Sequence, residues 1–125
     1  MSALALAVAP VVERVRRSWP WRVGVTGESM TPALRPGDWL LVDPAGYARR
    51  APRPGELVVV PDPREERRWL VKRVAAVGPE GDLFVAGDAP DRSTDSRVFG
   101  TLPPDRVVGR PWARYWPPRR IGRVR

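Results

Sequence analysis

Arg68-Trp69-Leu70-Val71-Lys72-Arg73-Val74 holds the only lysine among the chain's 22 basic residues. Its aromatic and β-branched residues favour a strand, which we extend from Trp69 to Val77. Upstream, Pro54-Gly55-Glu56 reads as a turn into Leu57-Val58-Val59-Val60, a second apolar strand. The charged residues from Pro61 to Arg68 read as the hairpin arm between them. Further out, Trp21 to Val25, Trp39-Leu40-Leu41-Val42, Leu83-Phe84-Val85-Ala86 and the region from Trp112 to Trp116 are the other strand candidates. Turn sequences such as Arg35-Pro36-Gly37-Asp38 separate them, and 16 prolines and 11 glycines disfavour long helices. The expected fold is mainly β: a compact antiparallel sheet or partly open barrel, with a short N-terminal helix. One domain suits 125 residues. We place it at residues 21–117, after an amphipathic or flexible segment (1–20) and before a basic C-terminal tail (118–125).

Composition removes several chemistries. Without cysteine there are no disulfides, thiol nucleophiles or thiolate metal sites. Without histidine there is no common zinc site and no Ser-His-Asp triad. The carboxylates form no EF-hand-like cluster, so neither metal nor cofactor is expected. Arginine keeps its proton in a protein, whereas lysine can lose its own when taken out of water. A nitrogen base acting near neutral pH is therefore Lys72 or the N-terminal amine. The net charge of +8 suits anionic partners. The arginines are scattered, though, and Arg110 to Arg120 reads better as a last core strand and basic tail than as a base-stacking patch. A nucleic-acid partner is not expected. The apolar stretch from Ala3 to Val12 is far short of the ~20 residues that span a bilayer. At most, an N-terminal helix from Ala3 to Arg17 touches a membrane peripherally.

Among five serines, Ser29 stands out in Gly27-Glu28-Ser29-Met30-Thr31-Pro32, a turn after a strand. Such a turn exposes a hydroxyl and leaves backbone N–H groups to face an oxyanion. Turn formation or helix capping explains most serines in such settings.

With Ala33 and Leu34, then Arg35-Pro36-Gly37-Asp38-Trp39-Leu40-Leu41-Val42, this stretch resembles the nucleophile box of the type I signal peptidases. Pro54-Gly55-Glu56-Leu57-Val58-Val59, Lys72-Arg73-Val74 and Gly87-Asp88-Ala89-Pro90-Asp91-Arg92-Ser93-Thr94-Asp95-Ser96-Arg97-Val98-Phe99-Gly100 resemble their remaining boxes, in the same order. The resemblance implies a serine endopeptidase in which Ser29 is the nucleophile, Lys72 the general base and Ser93 the hydroxyl that orients the lysine. It implies a structural ion-pair cluster of Asp95 and Arg97 with Arg73 participating. The backbone N–H of Ser29 would supply one oxyanion donor, and Gly27 or Thr26 is the candidate for the second. Gly27 stands where some members carry serine, and Ala89 where asparagine is common. A precursor polypeptide would bind as an extended strand beside Val23, Val25 and Thr26 and beside Leu70, with small residues favoured near Met30 and Trp69. Short length and the run Trp112-Ala113-Arg114-Tyr115-Trp116-Pro117 resemble the nickel-type superoxide dismutase maturation proteases in particular. That likeness implies removal of an N-terminal extension from a soluble precursor by a cytoplasmic monomer. The rival readings are a membrane-associated signal peptidase, a repressor-type self-cleaving protease and a non-catalytic basic binding module. The segment before Trp21 is too short for the repressors' DNA-binding domain.

Overall fold

The structure, a computed structural model, describes residues 21–125. The expected N-terminal helix and its membrane contact lie outside the described residues. Seven strands run in chain order: β1 (Trp21–Gly24), β2 (Trp39–Asp43), β3 (Leu57–Asp62), β4 (Glu65–Val77), β5 (Leu83–Ala86), β6 (Arg110–Trp116) and β7 (Gly122–Arg123). They form two antiparallel sheets, one ordered β1-β2-β6-β7 and the other β3-β4-β5. Among the described residues there is little helix: one α-helical turn, α1 (Ser96–Phe99), and three short 3₁₀ turns. The fold is thus mainly β, as expected, and its sheets do not close into a barrel. Among the described residues they are linked at backbone level where Val59 exchanges hydrogen bonds with the segment before β6 (Val59 N–H to Gly109 O 3.1 Å, Val108 N–H to Val59 O 2.8 Å).

Burial explains the hydrophobic patterns. β2 alternates, with Leu40 and Val42 fully inside and Trp39 outside. β3 is apolar without a break from Leu57 to Val60 because both of its faces are covered. Leu57 and Val59 pack towards the first sheet with Met30, Leu34, Leu40, Val42 and Val71. Val58 and Val60 join a second core with Val74, Leu83, Val85 and Leu102, closed by Tyr47, Leu70, Phe99 and Val107.

Two boundaries differ from expectation. β4 begins at Glu65, within the stretch expected as a connection, so the β3–β4 arm is a tight hairpin in which Asp62 pairs with Glu65. The cause is electrostatic. Asp62 is completely buried, and Arg64 and Arg68 both donate to its carboxylate. Charged residues that would otherwise stay in a loop are drawn into the strand. Residues 118–125, expected as a tail, turn back so that β7 pairs with β6. Arg114 and Arg120 converge there on buried Asp38, each at 3.2 Å.

Candidate functional site

Ser29 is carried by the loop between β1 and β2. The loop's neck is closed by Val25 N–H to Asp38 O and Gly37 N–H to Val25 O, both 2.8 Å. Met30 and Leu34 anchor it in the core. Arg114 donates to Ala33 O at 3.1 Å and to Asp38, which ties the loop to β6. Ser29 therefore sits on a backbone fixed at both ends and along its underside.

Lys72 lies mid-strand in β4, opposite Val58, and is only 3% exposed. Burial pushes its ammonium below the ordinary lysine pKa, and the charges of Asp95 and Asp62 pull it partly back. Its Nζ donates to Ser93 Oγ at 3.0 Å, and Ser93 Oγ donates to Asp95 Oδ2 at 2.9 Å. Asp95 is fully buried. Burial alone would raise its carboxyl. Hydrogen bonds from Arg97, from the N–H groups of Gly87 and Arg97, and from Ser93 outweigh this and hold it well below the usual carboxylate range. An ionised carboxylate only accepts, so the single Ser93 proton points to Asp95. Ser93 must then accept from Lys72. In the neutral amine that contact would fix one N–H and turn the lone pair away from Ser93.

Ser29 and Lys72 both face one open cleft of about 280 Å³. Its walls are Val23 to Met30 on one side and Trp69 to Lys72 on the other, with Arg64, Arg68, Arg92 and Thr94 at the rim. Every residue expected to bind substrate is thus in one groove: Val23, Val25, Thr26, Met30, Trp69 and Leu70. Gly27 lies there too, with open space where a side chain would project. Ser29 is also clasped from the opposite side, where Ala89 N–H donates to its carbonyl at 2.8 Å. Replacement of an asparagine side chain at 89 leaves that backbone contact intact.

Two features escaped the sequence reading. Gly87 is where the chain from β5 passes between the two serines. A Cβ there would collide with the Ser93 side chain and come within 2.6 Å of Ser29 O. Gly87→Ala should therefore cut cleavage about 10²-fold by misplacing the serines, with a smaller effect on melting temperature. The second is Arg73, which does not join Asp95 and Arg97 as expected. It pairs with Asp88 in a fork (2.9 and 2.8 Å) and donates to Gly55 O and Arg125 O. Alternation along β4 turns Arg73 to the face opposite Lys72 and Asp95. Asp95 does pair with Arg97, at 2.9 Å, as expected. Asp95→Ala would leave Gly87 N–H and the Ser93 hydroxyl without their acceptor, while half-exposed Arg97 turns to water. We expect about 1–3 kcal/mol of lost stability in denaturant titration.

The two sheets and the loops they carry thus bring a serine hydroxyl and a buried amine to one groove. The signal peptidase (peptidase S26) family model matches residues 1–80 and 78–116. The chain is 30% identical over 123 residues to the mitochondrial ATP-independent inner membrane protease subunit 1a of Arabidopsis thaliana, across 81% of this chain and 73% of that protein. It is 24% identical over 143 residues to a probable signal peptidase I-1 of Synechocystis, across 80% and 73%. It is 25% identical over 148 residues to the mitochondrial inner membrane protease subunit 2 of Saccharomyces cerevisiae, across 95% and 81%. The chain belongs to the peptidase S26 family and is a serine-type endopeptidase. Two of these relatives are named for an inner membrane, while no helix among the described residues is long and apolar enough to cross one.

Proposed function

We propose that this endopeptidase removes an N-terminal extension from a precursor polypeptide with a Ser29–Lys72 dyad. The supporting observation is that a buried lysine, steered by Ser93 and Asp95, lines the same cleft as a serine on a rigid loop. Neutral Lys72 takes the Ser29 proton as Oγ bonds to the scissile carbonyl carbon. The charged lysine returns that proton to the leaving amine as the C–N bond breaks. Water, deprotonated by Lys72, then attacks the acyl ester and releases Ser29. In this reading the Ser29 N–H donates to the oxyanion, with Gly27 N–H or Thr26 as the second donor. No cofactor takes part.

Substrate enters as a strand. Among the described residues β1 is the edge of its sheet, with β2 on one side only. Among the described residues β4 pairs with β5 only from Arg73 onwards, so Leu70 to Lys72 offers a second edge that lines the cleft. An extended peptide between the two edges satisfies both ladders. Ser93→Ala should lower kcat about 10–100-fold and shift the pH profile while KM changes little, because Ser93 touches the lysine and not the substrate.

For the substrate, we favour a soluble precursor of a nickel-type superoxide dismutase cleaved in the cytoplasm by a monomer, on the resemblance of Trp112 to Pro117. The relatives' names favour the alternative, a membrane-associated signal peptidase. Incubating the protein with each precursor and sequencing the new N-terminus separates them. Cleavage of the dismutase precursor at one bond is the expected result. Cleavage of secretory precursors alone, by protein that sediments with membranes in high salt, would reject that substrate. Cleavage of neither would reject the dyad's proposed role.

A further inference from the structure

The rim of the cleft carries charge that peptide hydrolysis does not require. Arg64 donates to Asp62 through its backbone N–H (2.9 Å), Nε (3.1 Å) and Nη2 (2.9 Å). Arg68 donates through Nε (3.2 Å) and Nη2 (3.1 Å). Two guanidiniums thus share one carboxylate, which leaves one positive charge uncompensated in this trio. The buried carboxylate fixes both side chains at the β3–β4 hairpin, yet they stay 43% and 61% exposed. Their Nη1 groups are not among the donors to Asp62 and retain hydrogen-bonding capacity. Arg92, which also lines the cleft, is matched by Glu28 at 2.9 Å, so that pair carries no net charge.

We propose that Arg64 and Arg68 form a subsite that selects an acidic side chain in the precursor, about four residues from the bond beside Ser29. This rests on the reading above that the cleft takes an extended polypeptide. Arg68 precedes Lys72 by four positions, and a strand covers about 3.3 Å per residue, or about 13 Å in all. A peptide lying in the cleft alongside β4 with its scissile bond at Lys72 therefore brings a residue about four positions away level with the arginines. A guanidinium already held in place by Asp62 loses little conformational freedom when it meets a carboxylate. The same arginines disfavour lysine or arginine at that position.

The test uses extended peptides with alanine flanking the scissile bond and a single Glu, Gln or Lys moved along the positions before it. Two readouts are taken: kcat/KM with the wild-type protein, and peptide binding to Ser29→Ala by fluorescence anisotropy. Glu should exceed Gln by about tenfold in both, with Lys weakest, at a position three to five residues from the cut and less so at high salt. Arg68→Glu should reverse the order. Arg68→Gln, which keeps a donor beside Asp62, should abolish the difference and decides the matter if Arg68→Glu does not fold. Cleavage or binding without a charge preference overturns the subsite and leaves the peptidase reading standing. A charge preference in binding without cleavage supports the subsite and counts against the proposed dyad. Neither binding nor cleavage rejects both.

Discussion

Ser29→Ala should yield a folded protein whose cleavage rate has dropped by about 10⁴-fold or more. Folding survives because the contacts that hold this residue are not made by its hydroxyl. Its carbonyl accepts from Ala89, Met30 and Leu34 anchor the loop, and Asp38 and Arg114 tie it to β6. The loss falls on the rate because the acyl bond of the proposed mechanism forms on the Ser29 hydroxyl. A thermal melt within a few degrees of wild type, together with single-turnover cleavage of a labelled precursor, checks both halves. Wild-type rates in the alanine variant would mean that the bond is broken elsewhere.

Lys72→Met should be as damaging to catalysis, again about 10⁴-fold or more, and should raise stability at neutral pH. Methionine fills a similar volume and needs no desolvation of charge. Because the folded lysine titrates below its unfolded value of ~10.4, the unfolded chain binds more protons between the two pKa values. Wild-type stability therefore rises with pH through that window and its handicap is gone above ~10.4. The methionine variant's advantage is largest below the lowered pKa and shrinks as pH climbs, which denaturant titrations at several pH values will show. Wild-type kcat/KM should climb with pH over the lower part of the same range, as the amine becomes a base. Lys72→Arg keeps the charge but cannot give up its proton, so it should be inactive at every pH. Activity in either variant would exclude Lys72 as the base.

The hairpin that carries Lys72 was legible because Leu57–Val60 is an unbroken apolar run and Trp69–Val77 is apolar except for Lys72 and Arg73, which leaves little but strand for either to form. The first turn of that hairpin was not. Glu65, Glu66, Arg67 and Arg68 carry no hydrophobic signal, and their place in β4 depends on Asp62 being buried, which only the assembled sheets decide. The C-terminal residues misled for the same reason: Pro117-Pro118-Arg119-Arg120 has the composition of a tail until Asp38 is seen waiting for Arg120. Ser29, Lys72 and Ser93 could be picked out by residue type and by resemblance. What could not be read was how they meet, because that turns on one missing side chain at Gly87 and on which acid each arginine finds. Arg73 and Arg97 are equivalent on paper, but strand alternation in β4 sends the first to Asp88, and the turn that opens α1 folds the second back onto Asp95, its N-cap.

That the chain keeps a single lysine, and keeps it walled in, makes it unusually easy to watch. Protein grown on nitrogen-labelled lysine would give one side-chain amine resonance, with no assignment problem and no overlap from surface residues. The shift of that signal with acidity would report the protonation of one atom directly. Its response to a bound inhibitor would show, in a single spectrum, whether the groove is filled.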